Sequence, residues 1–176
     1  MKILFSEEQL QQGIARMATE VNQRFGREPL TVICVMTGSI ILVADLIRQL
    51  VMPVKLGSVH ACSYRGGTSR GDLNLDASML PALRNANVLI VDDIFDTGHT
   101  LNAVHQHIDS LGAACVETAV LLYKHGREEL DFQVNFVGFE IPDEFVVGYG
   151  LDYQGLYRNL PYVGVMESHD LAQDEP

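Results

Sequence analysis

The chain has 176 residues, 47% of them hydrophobic and 20% charged, with a formal net charge of −11, the profile of one ordinary globular domain large enough to bury a core. So acidic a surface repels nucleic acid and anionic membranes unless a basic patch overrides it, and 12 Lys+Arg against 23 Asp+Glu with no basic run supplies none. An anionic substrate would therefore need a metal ion or a pocket built from backbone dipoles. Cys34, Cys62 and Cys115 show no CxxC or Cys/His spacing, which fits reduced thiols rather than disulfides or a metal knot. Met1 to Phe5 gives way at once to Glu7 and Glu8, unlike a secretory signal, and no apolar run reaches membrane-spanning length, so a cytoplasmic protein is expected.

In chain order, Ser6-Glu7-Glu8-Gln9 has the form of a capping box. Leu10, Ile14, Met17, Val21 and Phe25 then recur at helical spacing, predicting an amphipathic helix over 7–24 that Gly26 and Pro29 end. Leu30 to Met36 reads as a core strand, Thr37-Gly38-Ser39 as a turn, and Ile40 to Val51 as a strongly apolar helix. Val54 to Ala61 alternates as a strand. The polar, glycine-rich run Ser63 to Gly71 reads equally well as a surface loop or as a lid over a water-sensitive reaction centre. Leu73 to Asn87 is a short strand or turn followed by a return, without a sharper signal.

Val88 to Val91 is four apolar residues, as expected for a buried strand of a parallel sheet. Asp92 and Asp93 close it, Asp96 follows, and Thr97-Gly98-His99-Thr100 leads into a helical pattern with Leu101, Val104, Ile108 and Leu111 on one face and Gly112 as the cap. Strand, acidic edge, Gly/Thr turn and helix start together place free N–H groups where they cradle a phosphate, beside acids suited to a hydrated cation or sugar hydroxyls. Val116 to Tyr123 is another core strand ending at Lys124. Val134 to Glu140 and Phe145 to Gly150 are short strands or extended segments around a Pro142-Asp143 turn, and Tyr162 to Met166 is a last strand before an acidic tail, 167–176, expected to fray. The alternation predicts an α/β fold, a central and mostly parallel sheet flanked by helices.

The stretch Val88 to Leu101 resembles the phosphoribosyl-pyrophosphate (PRPP) signature of type I phosphoribosyltransferases. Leu121-Leu122-Tyr123-Lys124, Val137 to Tyr153 and Tyr157-Arg158-Asn159-Leu160-Pro161 narrow the resemblance to the hypoxanthine-guanine phosphoribosyltransferases, over residues 30 to 166 or so. It implies one phosphoribosyltransferase domain over 1–176, with a small hood from the N-terminal and C-terminal segments. It also implies transfer of the 5-phosphoribosyl group of PRPP to N9 of a 6-oxopurine, giving a nucleoside monophosphate, with Mg²⁺ as cofactor and assembly as a homodimer or homotetramer. By the same resemblance Asp92, Asp93, Asp96, Thr97, Gly98, His99 and Thr100 hold PRPP and its 5′-phosphate, and Asp96 is the catalytic carboxylate facing N7. Met36, Thr37, Gly38 and Arg158 hold pyrophosphate, with a non-proline cis peptide at Met36-Thr37, where relatives often carry a basic residue in place of Thr37. Lys124, Phe145, Val146 and Asp152 bind the purine, Asp92, Asp93 and Asp152 serve the metal, and Ser63 with Tyr64 closes the lid. Lysine donates only, so Lys124 favours a 6-oxo group over the 6-amino group of adenine.

Two other classes fit less well. A response-regulator receiver has its acid pair at the end of its first strand, whereas this pair falls mid-chain and runs into Asp96-Thr97-Gly98. An RNA-binding regulator on the same scaffold needs a clustered basic surface that the composition lacks. A xanthine- or adenine-preferring transferase is the nearest rival within the enzymes, and the context of Lys124 and Phe145 to Asp152 argues against both.

Overall fold

The computed structural model describes residues 1–63 and 73–167. Of the expected lid, Tyr64 and residues 65–71 lie outside the described residues, and Ser63 is the last residue of a strand. Most of the expected frayed tail, from 168 onward, lies outside them too.

The elements run β1 (Lys2–Phe5), α1 (Glu7–Phe25), β2 (Leu30–Met36), α2 (Ile40–Ile47), β3 (Val54–Ser63), β4 (Leu73–Asp76), β5 (Asn87–Phe95), α3 (His99–Ser110), β6 (Cys115–Lys124), β7 (Phe136–Ile141), β8 (Val146–Val147) and β9 (Val163–Val165). Six strands form the central sheet in the order β4-β3-β2-β5-β6-β7, and β1, β9 and β8 form a second, three-stranded sheet. Every pair in the central sheet is parallel except β3 with β4, where β4 closes one edge antiparallel. The ambiguous run after residue 72 thus resolves into a short edge strand and a return.

β5 lies at the centre and is apolar on both faces. Leu89 and Val91 join a core with α1 and α2, while Val88 and Ile90 join one with Leu101, Val104 and Ile108 of α3. Successive side chains of a strand point to opposite faces, so a continuous apolar run is what a doubly covered strand requires. α1 has the predicted start: Ser6 Oγ accepts from Gln9 N at 3.3 Å and Ser6 N donates to Gln9 Oε1 at 2.9 Å. Among the described residues no helix is long and apolar enough to cross a membrane.

Three expectations need correction. α2 stops at Ile47 and does not reach Val51. Asn22 of α1 donates from Nδ2 to Gln49 O and accepts from Val51 N, both at 3.0 Å, and takes the chain out of the helix. Leu111 is 42% exposed because α3 ends at Ser110 and Leu111 is its cap, outside the helical face. The run expected as a strand from Val134 begins at Phe136, since Asn135 instead bonds Thr118 through Oδ1 and its own N–H.

Candidate active site

The strand order reverses direction between β2 and β5: β2 leads outward to β3, and β5 leads the other way to β6 and β7. Open α/β sheets bind ligands at the carboxyl ends of strands flanking such a switch. β5 pairs with β2 only as far as Val91 opposite Cys34, yet continues beside β6 to Phe95 opposite Tyr123. The acid pair is therefore inside β5, just where its β2 side opens. A cavity of about 290 Å³ sits there, and Met36, Gly38, Asp92, Asp93, Asp96, Thr97, Gly98, Thr100, Asp152 and Arg158 all line it. Of the other expected residues, Thr37, His99, Lys124, Phe145 and Val146 are not in its wall.

Asp92 is buried, 7% exposed, and accepts from Asp93 N at 2.9 Å. Loss of water and the neighbouring Asp93 charge push its carboxyl well above the usual range. Burial also raises Asp93, against hydrogen bonds and the Arg158 charge, which lower it. The turn after β2 packs directly on this pair. The Met36-Thr37 peptide is cis, and a Cβ placed on Gly38 would lie 1.6 Å from Asp93 Oδ2. On the far side of the same turn, a Cβ on Gly150, whose φ is +103°, would lie 2.0 Å from Gly38 O. Only glycines let the three layers approach so closely. Arg158 completes the wall, donating from Nη1 to Gly150 O at 2.6 Å and pairing from Nη2 with Asp152 Oδ1 at 2.8 Å.

The segment 148–152 is tied to α2 as well: the Tyr149 hydroxyl donates to Asp45, which Gln11 and Arg48 also reach. Burial and that carboxylate push the Tyr149 phenol far above its usual range.

At the start of α3, the N-cap is Gly98, with φ +89° and no side chain to cap the helix. Among the described residues the first N–H groups of the helix thus lack an N-cap side chain and suit an external anion. The loop after β6 leans on this turn: Glu129 N donates to Thr97 O at 3.1 Å, and Glu129 Oε2 lies 2.8 Å from His99 Nε2.

Lys124 ends β6 with only 8% of its surface exposed. Its Nζ lies 3.3 Å from Asp143 Oδ1 and 3.8 Å from Asp96 Oδ2. Arg127 joins the group, with Nε 2.9 Å from Asp96 Oδ1 and Nη1 3.5 Å from Asp143 Oδ2. Lys124 is thereby brought to Asp96. Sequence reasoning gave no role to Arg127 or Asp143; the one available signal was a second cation three residues beyond Lys124. Phe145 is 46% exposed and meets Tyr153 edge-on at 5.6 Å. Val146 is buried and pairs with Val165.

Among the described residues no three His, Cys, Asp or Glu side chains converge as a metal cage. Magnesium characteristically takes one or two carboxylates and fills its shell with water and substrate oxygens. Two adjacent carboxylates whose burial disfavours ionisation, open to a cavity with Asp152 on its wall, fit that cation by charge and donor type.

The phosphoribosyl transferase domain model matches residues 2–154. The hypoxanthine-guanine phosphoribosyltransferase of Staphylococcus epidermidis is 37% identical over 94% of this chain and 93% of its own length. Among solved structures, a hypoxanthine-guanine phosphoribosyltransferase from Bacillus anthracis superposes with TM-score 0.90 at 36% identity, covering 95% of this chain and 99% of that one. A point mutant of the hypoxanthine phosphoribosyltransferase of Trypanosoma cruzi, solved as a ternary substrates complex, gives TM-score 0.91 at 34% identity, covering 97% of each chain. With a reversed strand order opening onto an acid pair, an uncapped helix start and a buried lysine on the next strand, the chain belongs to the phosphoribosyl transferase family, in its hypoxanthine-guanine branch.

Proposed function

We propose that the protein is a purine-salvage enzyme that moves the 5-phosphoribosyl group of PRPP to N9 of hypoxanthine or guanine, giving IMP or GMP and pyrophosphate. The observation that carries it is the convergence at adjacent strand ends of an anion-ready helix start, an acid pair whose first member, Asp92, is buried, and a buried Lys124. In the reaction the C1′–O bond to pyrophosphate breaks and the C1′–N9 bond forms. Positive charge builds on the ribose and negative charge on the leaving group, so positioning and electrostatics supply most of the rate.

Each segment has a task in this reading. The N–H groups of 97–100 and the Thr97 and Thr100 hydroxyls hold the 5′-phosphate, with His99 contributing its backbone. Asp92 and Asp93 engage the ribose hydroxyls. Met36, Thr37 and Gly38 offer backbone groups to pyrophosphate, and Arg158 its charge. Lys124 donates to the 6-oxo group, Phe145 stacks on the purine, and backbone groups near Val146 and Asp152 read its edge. Asp96 takes the proton from N7. Asp92, Asp93 and Asp152 would hold Mg²⁺, which neutralises pyrophosphate oxygens when bound. Ser63 and Tyr64 are assigned to the lid by resemblance alone.

The protein is read as a single cytoplasmic catalytic domain over 1–176, with β1, β8 and β9 as its hood, working as a homodimer or homotetramer. The test follows nucleotide formation from PRPP and Mg²⁺ with hypoxanthine, guanine, xanthine and adenine, beside Asp96→Asn. Turnover of the first two, lost with chelator and strongly reduced in the variant, supports the reading. Turnover confined to adenine keeps the chemistry and refutes the role of Lys124, while turnover confined to xanthine, itself a 6-oxopurine, keeps that role and refutes the choice of hypoxanthine and guanine. No turnover of any base refutes the function.

A further inference from the structure

We propose that Arg127 is a positioning residue of the base site, gripping one oxygen of Asp96 so that the other is presented to the purine. The inference rests on Asp96 being the proton acceptor for N7. Asp96 stands in a turn with its side chain 37% exposed. Its partners among the described residues are two cations from β6 and the turn after it. Arg127 Nε takes Oδ1 at hydrogen-bond distance, 2.9 Å, while Oδ2 stands 3.8 Å from Lys124 Nζ, beyond it. One carboxylate oxygen is committed, and the other, ion-paired at 3.8 Å but without a hydrogen bond among the described residues, faces the lysine proposed to read the 6-oxo group.

The guanidinium does this while reaching Asp143 with a different nitrogen. Its planar fork fixes the direction of both contacts, which a lysine in the same place would not do. Charge matters too. Asp96, Asp143 and Lys124 alone sum to −1, and Lys124 would be drawn between two carboxylates; Arg127 makes the cluster neutral and leaves a lysine N–H for substrate. The arginine is itself held in register with the phosphate turn, because Glu129, two residues on, bonds Thr97 O and His99. Since Arg127 is exposed on its solvent side, its effect is on geometry at the reacting atoms more than on stability.

The test is steady-state kinetics and melting of Arg127→Met, Arg127→Lys, Asp96→Asn and the double variant Asp96→Asn/Arg127→Met. The expected result is a loss of about tenfold in kcat for Arg127→Met, with KM for PRPP within about twofold and the melting temperature unchanged. Arg127→Lys should recover only part of the rate, and the double variant should be no slower than Asp96→Asn alone. A wild-type kcat in Arg127→Met beside a slow Asp96→Asn overturns the proposal and leaves the role of Asp96 standing. Losses that multiply in the double variant, or full rescue by lysine, overturn it as well. A wild-type rate in Asp96→Asn instead removes the role of Asp96, and the proposal falls with it.

Discussion

Replacing Gly38 by alanine tests whether the turn after β2 and the acid pair form one surface for PRPP. The new Cβ would stand 1.6 Å from Asp93 Oδ2 and 2.4 Å from its Cγ. Ordinary contact requires about 3.5 Å, so the carboxylate or the turn must move by roughly 2 Å. Asp93 is only half-buried and opens on a cavity, so its side chain can swing aside and the fold should survive. The reacting groups are displaced all the same, and misplacement by about 1 Å costs about a hundredfold in rate. We expect kcat/KM for PRPP to fall by about two orders of magnitude, equivalent to roughly 2.7 kcal/mol, with a melting temperature within a few degrees of wild type. PRPP-saturation kinetics beside a melting curve decide it. A folded variant with wild-type kcat/KM for PRPP would refute the claim that the turn and the acids share the substrate.

Further perturbations address other parts of the molecule. Lys124→Gln should lower kcat/KM for hypoxanthine by about ten- to a hundredfold, the worth of a charge-assisted hydrogen bond, and narrow its margin over adenine, as competition assays between the two bases would report. Asp45→Asn should destabilise by about 1 kcal/mol at pH 7. Burial by itself would raise the Asp45 carboxyl, but hydrogen bonds from Tyr149, Gln11 and Arg48 outweigh it and hold the group below its ordinary value. A carboxyl lowered by folding stabilises above its unfolded range and ceases to as pH falls through the folded value, so denaturant curves of variant and wild type should converge below about pH 4. Ser6→Ala removes the acceptor for Gln9 N and should cost about 1 kcal/mol in the same assay without touching kcat.

Much of this was legible because it is local. Val88 to Val91 can only be comfortable between two covered faces, and the Asp-Thr-Gly sequence after it sets a turn into a helix whose N-cap is a glycine without a capping side chain. The capping box of α1 is likewise written in four consecutive residues. What escaped depends on meetings between distant segments. The end of α2 is set by Asn22, 27 residues away from Gln49, and no pattern within Ile40 to Val51 announces it. Arg127 looks like an ordinary loop arginine until β5 and β7 flank β6 and bring Asp96 and Asp143 to it. Leu111 kept helical spacing but fell one residue past the last turn, where the chain had already left the face it was expected to share.

The bond from Glu129 N to Thr97 O joins the turn proposed to hold the 5′-phosphate to the loop proposed to position the base-site acid. If a phosphate seated on residues 97–100 draws Thr97 into a better-defined position, the loop carrying Arg127 is ordered with it, and the base subsite is prepared at no further entropic cost. The coupling runs equally in reverse, because linkage between two binding equilibria is reciprocal. A bare purine then meets a looser pocket than one arriving after the sugar phosphate. A nucleoside monophosphate, filling both subsites at once, is held more tightly than its separate halves imply, and its departure becomes a natural slow step of the cycle.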